Sequence, residues 1–420
     1  MFLTLYSNQK GQILEHPEFE MLGRSGNQWV VPDRYNMIPL PKGAALVSLP
    51  NQIPVGIANG SLKGLDSDPL HPGRQVNAVA ALLPQGFTRT LLPSGVNIKP
   101  DQVLPLYGYA AIGLKGDQIY VAAIKTDKHH KWHPAHYNTN RLPVRINKMV
   151  KKYPENRILK QLVHCSLEYG CYTAQNLFYQ RWEAGIPTSN VCNASCIGCI
   201  SQSHHPSLNS PQNRLTIKPE LKEIVELGIE HLNKANDGII SFGQGCEGEP
   251  SLNDGLLAQA IRQIRDETGK GTININTNAG YSHGIKQLCR AGLDTMRVTV
   301  FSFNRQNYRR YHNPRGYDLS DVIKSIVYAR ESNTRVDLNL LTFPGFTDRE
   351  EEIDYLFDFL SHHPWIHMIQ FRNLNIDPDF FVKHFNSDNS GIGIDRLISL
   401  IQKEFPNTKI GSYTHPVKKG

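Results

Sequence analysis

The chain has 420 residues, 40% of them hydrophobic and 20% charged; this length exceeds what one hydrophobic core usually fills, and the composition is that of an ordinary globular protein. No apolar run approaches the roughly 20 residues a bilayer demands, the N-terminus lacks a basic segment followed by an apolar one, and seven cysteines do not make a disulfide scaffold in a chain this long. These features predict a cytoplasmic protein without a membrane partner, and the excess of Lys and Arg (45) over Asp and Glu (38) is compatible with an RNA, nucleotide or acidic-peptide partner without requiring one.

In chain order, residues 1–143 read as a β-rich domain. Short apolar runs such as 44–49 and 118–124 are separated by Pro, Gly, Asn and Asp. The Pro-, His- and Asn-containing stretch from Lys128 to Pro143 marks its end. Residues 144–184 form a mainly helical connector, with apolar positions at Ile146, Met149 and Val150, then Ile158, Leu162 and Val163. From 185 strands and helices alternate. Strands are expected at 186–191, 238–243, 272–277, 295–301, 335–341 and 367–372, with helices near 221–232, 256–264, 282–291, 319–332 and 348–360. Six βα units predict parallel strands joined by right-handed crossovers, and six strands are too few to close an eight-stranded barrel. The fold class expected is therefore α/β, a partial (β/α)6 barrel over 185–378, followed by a helical extension and tail over 379–420. Ligands gather at the C-terminal strand ends of such sheets.

Cys192-Asn-Ala-Ser-Cys196-Ile-Gly-Cys199 directly follows the first predicted strand. Three thiolates on one tight loop suit three irons of a cubane, leaving the fourth iron open where a complete protein set would close it. Zinc is the competing reading, although structural zinc wants four ligands and no second Cys knuckle follows. The C-x3-C-x2-C triplet resembles the signature of the radical S-adenosylmethionine (SAM) superfamily. The chain departs from that pattern at Gly198, where the family usually carries an aromatic residue. The resemblance implies a [4Fe-4S] cluster on Cys192, Cys196 and Cys199. It also implies SAM as cosubstrate or cofactor, and a one-electron donor such as flavodoxin or ferredoxin. The reaction it implies is reductive cleavage of SAM to a 5′-deoxyadenosyl radical, which abstracts hydrogen from a substrate.

The likeness continues at the second and third strand ends. Gly243-Gln-Gly245-Cys-Glu-Gly248-Glu249-Pro250 is similar to the family's Gly-Gly-Glu-Pro element, with Glu247 in place of one glycine. By the resemblance Glu249 accepts a hydrogen bond from the SAM amino group, a charge-assisted pair. Glycines there let backbone approach a ligand. Asn276-Thr-Asn278-Ala-Gly280 is similar to the Thr-Asn-Gly element and places Asn278 near the SAM ribose or carboxylate. Ser302 and Asn304 offer polar contacts at the fourth strand end; Asn339, Gln370 and Arg372 are candidates by position alone.

Other clusters carry weaker signals. Cys246, with Cys165 and Cys171, is a candidate second site. His129, His130, His133 and His136 read as a polar linker, and His204 and His205 follow the cysteine motif. Arg305, Arg309, Arg310 and Arg315 interleave with Tyr308, Tyr311 and Tyr317, a mixture that can hold phosphates and bases but also fits an amphipathic helix. No catalytic residue is named by the sequence. The substrate is a small molecule, a peptide or RNA, with DNA not expected. The alternatives are a non-catalytic zinc- or cluster-binding module and an RNA-modifying radical SAM enzyme.

Overall fold

A computed structural model describes residues 1–99, 101–128, 130–203, 210–385 and 391–417. Its contacts divide the chain into two compact units. One comprises residues 1–133, 341–358 and 371–406; the other comprises 134–340, 359–370 and 407–420.

The first unit is built on a twelve-stranded sheet. Its turn-separated runs pair antiparallel; Asn77–Leu82, for example, lies against both Leu3–Ser7 and Ala45–Leu49. Alternate strand positions bury Leu5, Val79, Ala81, Ile112 and Val121 in one core. The same unit encloses Arg89, whose guanidinium donates to the carbonyls of Tyr107, Tyr109 and Leu374 at 2.7, 3.0 and 2.6 Å. Burial pulls this group down to about 10.

The second unit begins with three helices, α1 (Leu142–Lys152), α2 (Arg157–Leu167) and α3 (Tyr172–Tyr179). Asn156 caps α2 by accepting from the Leu159 amide at 2.7 Å. A seven-stranded sheet follows, its strands neighbouring in sequence order: β1 (Arg181–Gly185), β2 (Asn236–Phe242), β3 (Thr272–Thr277), β4 (Thr295–Val300), β5 (Arg335–Thr342), β6 (Met368–Asn373) and β7 (Lys409–Gly411). Ladders β1–β2, β2–β3, β3–β4, β4–β5 and β6–β7 are parallel. The intervening helices include α4 (Leu221–Lys234), α5 (Asp254–Glu267), α6 (Ser282–Arg290), α7 (Arg305–His312) and α8 (Leu319–Glu331). The architecture is the expected partial barrel with two differences. The first strand lies at 181–185, not 186–191. Pro187 has no amide hydrogen, and the amides of Thr188 and Ser189 are taken by a side chain described below. A seventh strand, three residues with one apolar side chain, joins from the stretch expected to be helix and tail.

The helices seal one sheet face. Ile224, Leu227, Leu257, Ile261 and Ile264 are fully buried, each burial worth roughly 1.5–3 kcal/mol. A Cβ added at Gly228 of α4 would meet Ile264 of α5 and Ile240 of β2, at 2.6 and 3.3 Å, so the even positions of β2 face the helices. His231 of α4 is also fully buried, bonded through Nε2 to the Trp182 carbonyl at 2.6 Å, while its Nδ1 has no partner among the described residues. Burial holds this imidazole down to about 4. The unfolded chain takes up a proton near 6.5 that the folded chain refuses until about 4. Stability contributed here is therefore complete above 6.5 and falls as the pH drops toward 4. We expect His231→Gln, which keeps a donor for Trp182, to flatten the acid limb of the pH–stability curve. The wild-type-minus-variant difference should change by about 3 kcal/mol between pH 6.5 and 4, read by urea denaturation. A parallel pair of curves would contradict it.

Candidate functional site

At the C-terminal ends of β1, β2 and β3 three loops meet, and two glutamates tie them together. Beyond β1 the chain runs extended from Ile186 to Val191 into the cysteine loop. Beyond β2 it turns at Gly243 and runs to Pro250. The two segments pair by backbone: the amides of Gly248 and Glu249 donate to the carbonyls of Ser189 and Val191, both at 2.8 Å. Gly248 sits so close that a Cβ there would lie 1.9 Å from the Val191 oxygen. Gly243, at φ +84°, would similarly place a Cβ 1.8 Å from the Asn276 oxygen. At Gly245 the obstruction is only the Ile200 side chain, 2.5 Å away. Gly243 and Gly248 thus admit neighbouring protein backbone, and Gly245 an apolar side chain.

Glu247 stands where the family motif has a glycine, and it is buried. One carboxylate oxygen accepts from the amides of Gly243 and Gln244, both at 2.7 Å. The other accepts from the amides of Thr188 and Ser189 at 2.7 and 3.0 Å and from the Thr188 hydroxyl at 3.2 Å. Burial pushes the carboxyl up from its ordinary value while these donors pull it down.

Glu249 is the second tie. Its Oε1 accepts from the Ser251 amide at 3.0 Å and from the Thr277 hydroxyl at 2.5 Å, and its Oε2 accepts from the Asn278 amide at 2.8 Å. Pro250 then opens a short 3-10 turn. A carboxylate offers about four acceptor positions, so these three donors leave one on Oε2. Burial pushes this group up as well. Asn278 carries the link onward: its Nδ2 donates to Asn193 Oδ1 in the cysteine loop at 2.7 Å. Ser302, by contrast, accepts from the Asn304 amide at 2.9 Å in the turn that opens α7. Asn339 and Gln370 lie on the sheet itself, and Arg372 is half-buried near the end of β6.

The cysteine loop is strapped to α7. The amides of Ser195 and Ile197 donate to the carbonyls of His312 and Tyr311 at 3.0 Å each, and the Arg315 amide donates to Asn193 O at 2.8 Å. Arg315 also reaches the Cys192 carbonyl at 3.2 Å. Arg309 and Arg305 are engaged with Asp318, and Tyr308 and Tyr311 are buried. Of the Arg/Tyr stripe, the backbone of Tyr311 and the Arg315 side chain hold the cysteine loop, while Arg305 and Arg309 brace Asp318.

All seven cysteines are free thiols. Cys192, Cys196 and Cys199 are part-buried, and desolvation pushes Cys196 well up, with Cys199 and Cys192 adding to the shift. Among the described residues, no three His, Cys, Asp or Glu side chains converge as a single metal ion would require. A cubane asks less, since each thiolate binds its own iron. Besides Ser201, whose hydroxyl lies 3.8 Å from Cys199 Sγ, two residues the motif did not signal touch these sulfurs. His312 Nδ1 lies 3.4 Å from Cys196 Sγ, and Arg214 donates to Cys199 Sγ at 3.5 Å. Neither sits at a spacing that sequence could connect to the triplet. His204, His205 and His129 lie outside the described residues. His130 and His136 belong to short turns around the buried Trp132. Cys165 and Cys246 are both buried; Gln161 donates to Cys165 Sγ at 3.4 Å, and the proximity of the two thiols pulls Cys165 down and pushes Cys246 up.

Residues 186–357 match the model of the radical SAM superfamily. This stretch is a radical SAM domain. A curated relative, GTP 3′,8-cyclase of Aquifex aeolicus (strain VF5), is 25% identical over 227 residues, covering 52% of this chain. The match spans 64% of that relative's length. Among solved structures, methylornithine synthase (PylB) overlays at a TM-score of 0.40 with 14% identity, covering 56% of this chain and 68% of the other. The anSMEcpe structure with bound AdoMet gives 0.40 and 16%, covering 55% and 63%. These overlays are loose, and the assignment rests on the family model. The superfamily is one of SAM-dependent radical enzymes that generally bind a [4Fe-4S] cluster and SAM and need an electron donor. No helix among the described residues is long and apolar enough to cross a membrane.

Proposed function

We propose that this chain is a SAM-cleaving radical enzyme in which Cys192, Cys196 and Cys199 hold the cluster and the loop at 243–250, with Asn278, holds SAM. The observation that carries this reading is the continuous chain Glu249–Asn278–Asn193, which joins the glycine-rich loop, the end of β3 and the cysteine loop into one hydrogen-bonded unit. The donor set fits the group. Three free thiols share one loop, and Glu249 keeps one acceptor position open for an ammonium. When bound, the cluster and SAM supply one-electron reduction of a sulfonium and, from it, a hydrogen-abstracting radical. The protein's own part is placement. Glu249 orients an amino group, Asn278 fixes the loop against Asn193, and α7 holds the cysteines in register. His312 and Arg214 set the polarity around two of the sulfurs, as hydrogen-bonding neighbours do in metal sites generally.

Glu249→Ala tests the assignment of the SAM loop. In anaerobically reconstituted protein it should weaken SAM binding by roughly tenfold or more, the scale of a lost charge-assisted bond, with iron and sulfide content near wild type. Equilibrium dialysis and iron analysis read the two quantities separately. Loss of the cluster with SAM affinity intact would refute the role given to Glu249.

A further inference from the structure

Parallel sheets covered by helices are usually apolar on both faces. This one is not. The pairing registers put Ser241 opposite Asn274, Asn276 opposite Arg297, Arg297 opposite Asp337, and Thr299 opposite Asn339. These side chains share one face, and Ile240, Ile273, Ile275, Val298 and Leu338 occupy the helix-packed other. The polar face is largely buried, and it is wired together. Asn274 donates to Ser241 and to Asn276 Oδ1, both at 2.9 Å, and Ser241 donates to Glu183 at 2.7 Å. Arg297 donates to Gln370 and Thr414 at 3.2 and 3.0 Å.

The wiring stops short of completion. Asn276 Nδ2, Gln370 Nε2, Arg297 Nε, Arg335 Nε, Asn274 Oδ1, Asn339 Oδ1 and Thr295 Oγ1 are buried without a partner among the described residues. Asn274, Gln370 and Thr295 are fully buried, and Asn276 is 8% exposed. Each such atom is expensive to leave unmatched, and seven on one sheet face exceed what an ordinary core retains. The set mixes donors with acceptors. Its charges, however, are already matched: Arg297 lies 4.0 Å from Glu183, and Arg335 lies 3.3 Å from Asp337.

We infer that the substrate meeting this face is a small uncharged molecule rich in hydroxyl or amide groups. Such a ligand donates and accepts at once, completing Asn276, Asn339 and Gln370, whereas an anion would have to pull Arg297 from Glu183. This inference rests on the SAM-cleaving reading for its location beside the radical source.

Two measurements test it. The first needs no ligand. Asn276→Leu and Asn339→Leu each remove an unmatched polar atom; the Asn274 amide still has Ser241, and the half-buried Thr299 hydroxyl, which loses its 3.0 Å bond from Asn339, keeps access to water. If these groups await a substrate, each variant of the full chain should melt about 2–4 °C above wild type. If they are structural, both should melt lower, which would overturn the inference. The second uses extract from cells grown on deuterated medium, separated into macromolecules, ion-exchange-retained small molecules and unretained neutral small molecules. With reconstituted wild type, SAM and dithionite, deuterium should enter 5′-deoxyadenosine from the neutral fraction. The transfer should fall about tenfold or more in Asn339→Leu, the scale of one lost buried hydrogen bond. Label arriving only from the retained fraction, as from a nucleoside triphosphate, or only from the RNA- and protein-containing fraction, would overturn it. Absence of 5′-deoxyadenosine from every incubation would refute the SAM-cleaving reading instead, and the melting comparison would still decide the character of this face.

Discussion

Replacing Glu247 by Gln should destabilise the protein more than any other single isosteric change near the site. All five groups around this carboxylate donate hydrogen bonds, two backbone amides on one oxygen and two amides with a hydroxyl on the other. An amide must turn its own NH2 toward one of these sets. Whichever way it turns, two buried amide hydrogens lose their acceptor and face another donor. At roughly 1–3 kcal/mol for each unmatched buried group, the expected loss is about 2–6 kcal/mol. The damage would be local in its origin. Glu247 alone bridges Thr188 and Ser189, which lead into Cys192, to Gly243 and Gln244, which lead into Glu249. A drop in melting temperature should therefore come with a lower yield of reconstituted cluster, although residue 247 touches no cysteine. A Glu247→Gln protein that melts like wild type and takes up iron normally would show that the two loops are held by their backbone pairing alone.

The role of Glu247 could not be read from sequence, because a carboxylate where a family motif has glycine looks like a departure and not a tie. Much else was legible. The run Thr-Ile-Asn-Ile-Asn-Thr at 272–277 alternates with period two and forms β3 over those same residues. The apolar spacing at Leu221, Ile224, Val225 and Leu232 gives α4, and the triplet spacing of the cysteines marks the domain. The misplaced first strand has a physical cause. Residues 186–191 carry apolar Ile186 and Val191 at their ends, but Pro187 and the Glu247 carboxylate take the chain out of the ladder, and the true strand at 181–185 begins irregularly, with Trp182 at φ +28° and a register shift between Arg181 and Glu183. The polar sheet face lay in plain view as alternation in β3, β4 and β5, yet alternation alone does not say which face is buried. His312 and Arg214 were illegible for a simpler reason: each reaches its sulfur across the fold, from 116 and 15 residues away.

The second large effect is also the most direct test of the whole account. Anaerobically reconstituted protein, given SAM and dithionite, should release 5′-deoxyadenosine and methionine in equal amounts, quantified by liquid chromatography and mass spectrometry. The protein carrying Cys192→Ala, Cys196→Ala and Cys199→Ala together should release neither above the protein-free control, since without those thiolates nothing in the loop can hold iron. Cys165→Ala should leave the products unchanged, because this buried thiol lies in α2, outside both the cysteine loop and the loop at 243–250. Equal 5′-deoxyadenosine from wild type and the triple variant would contradict the assignment.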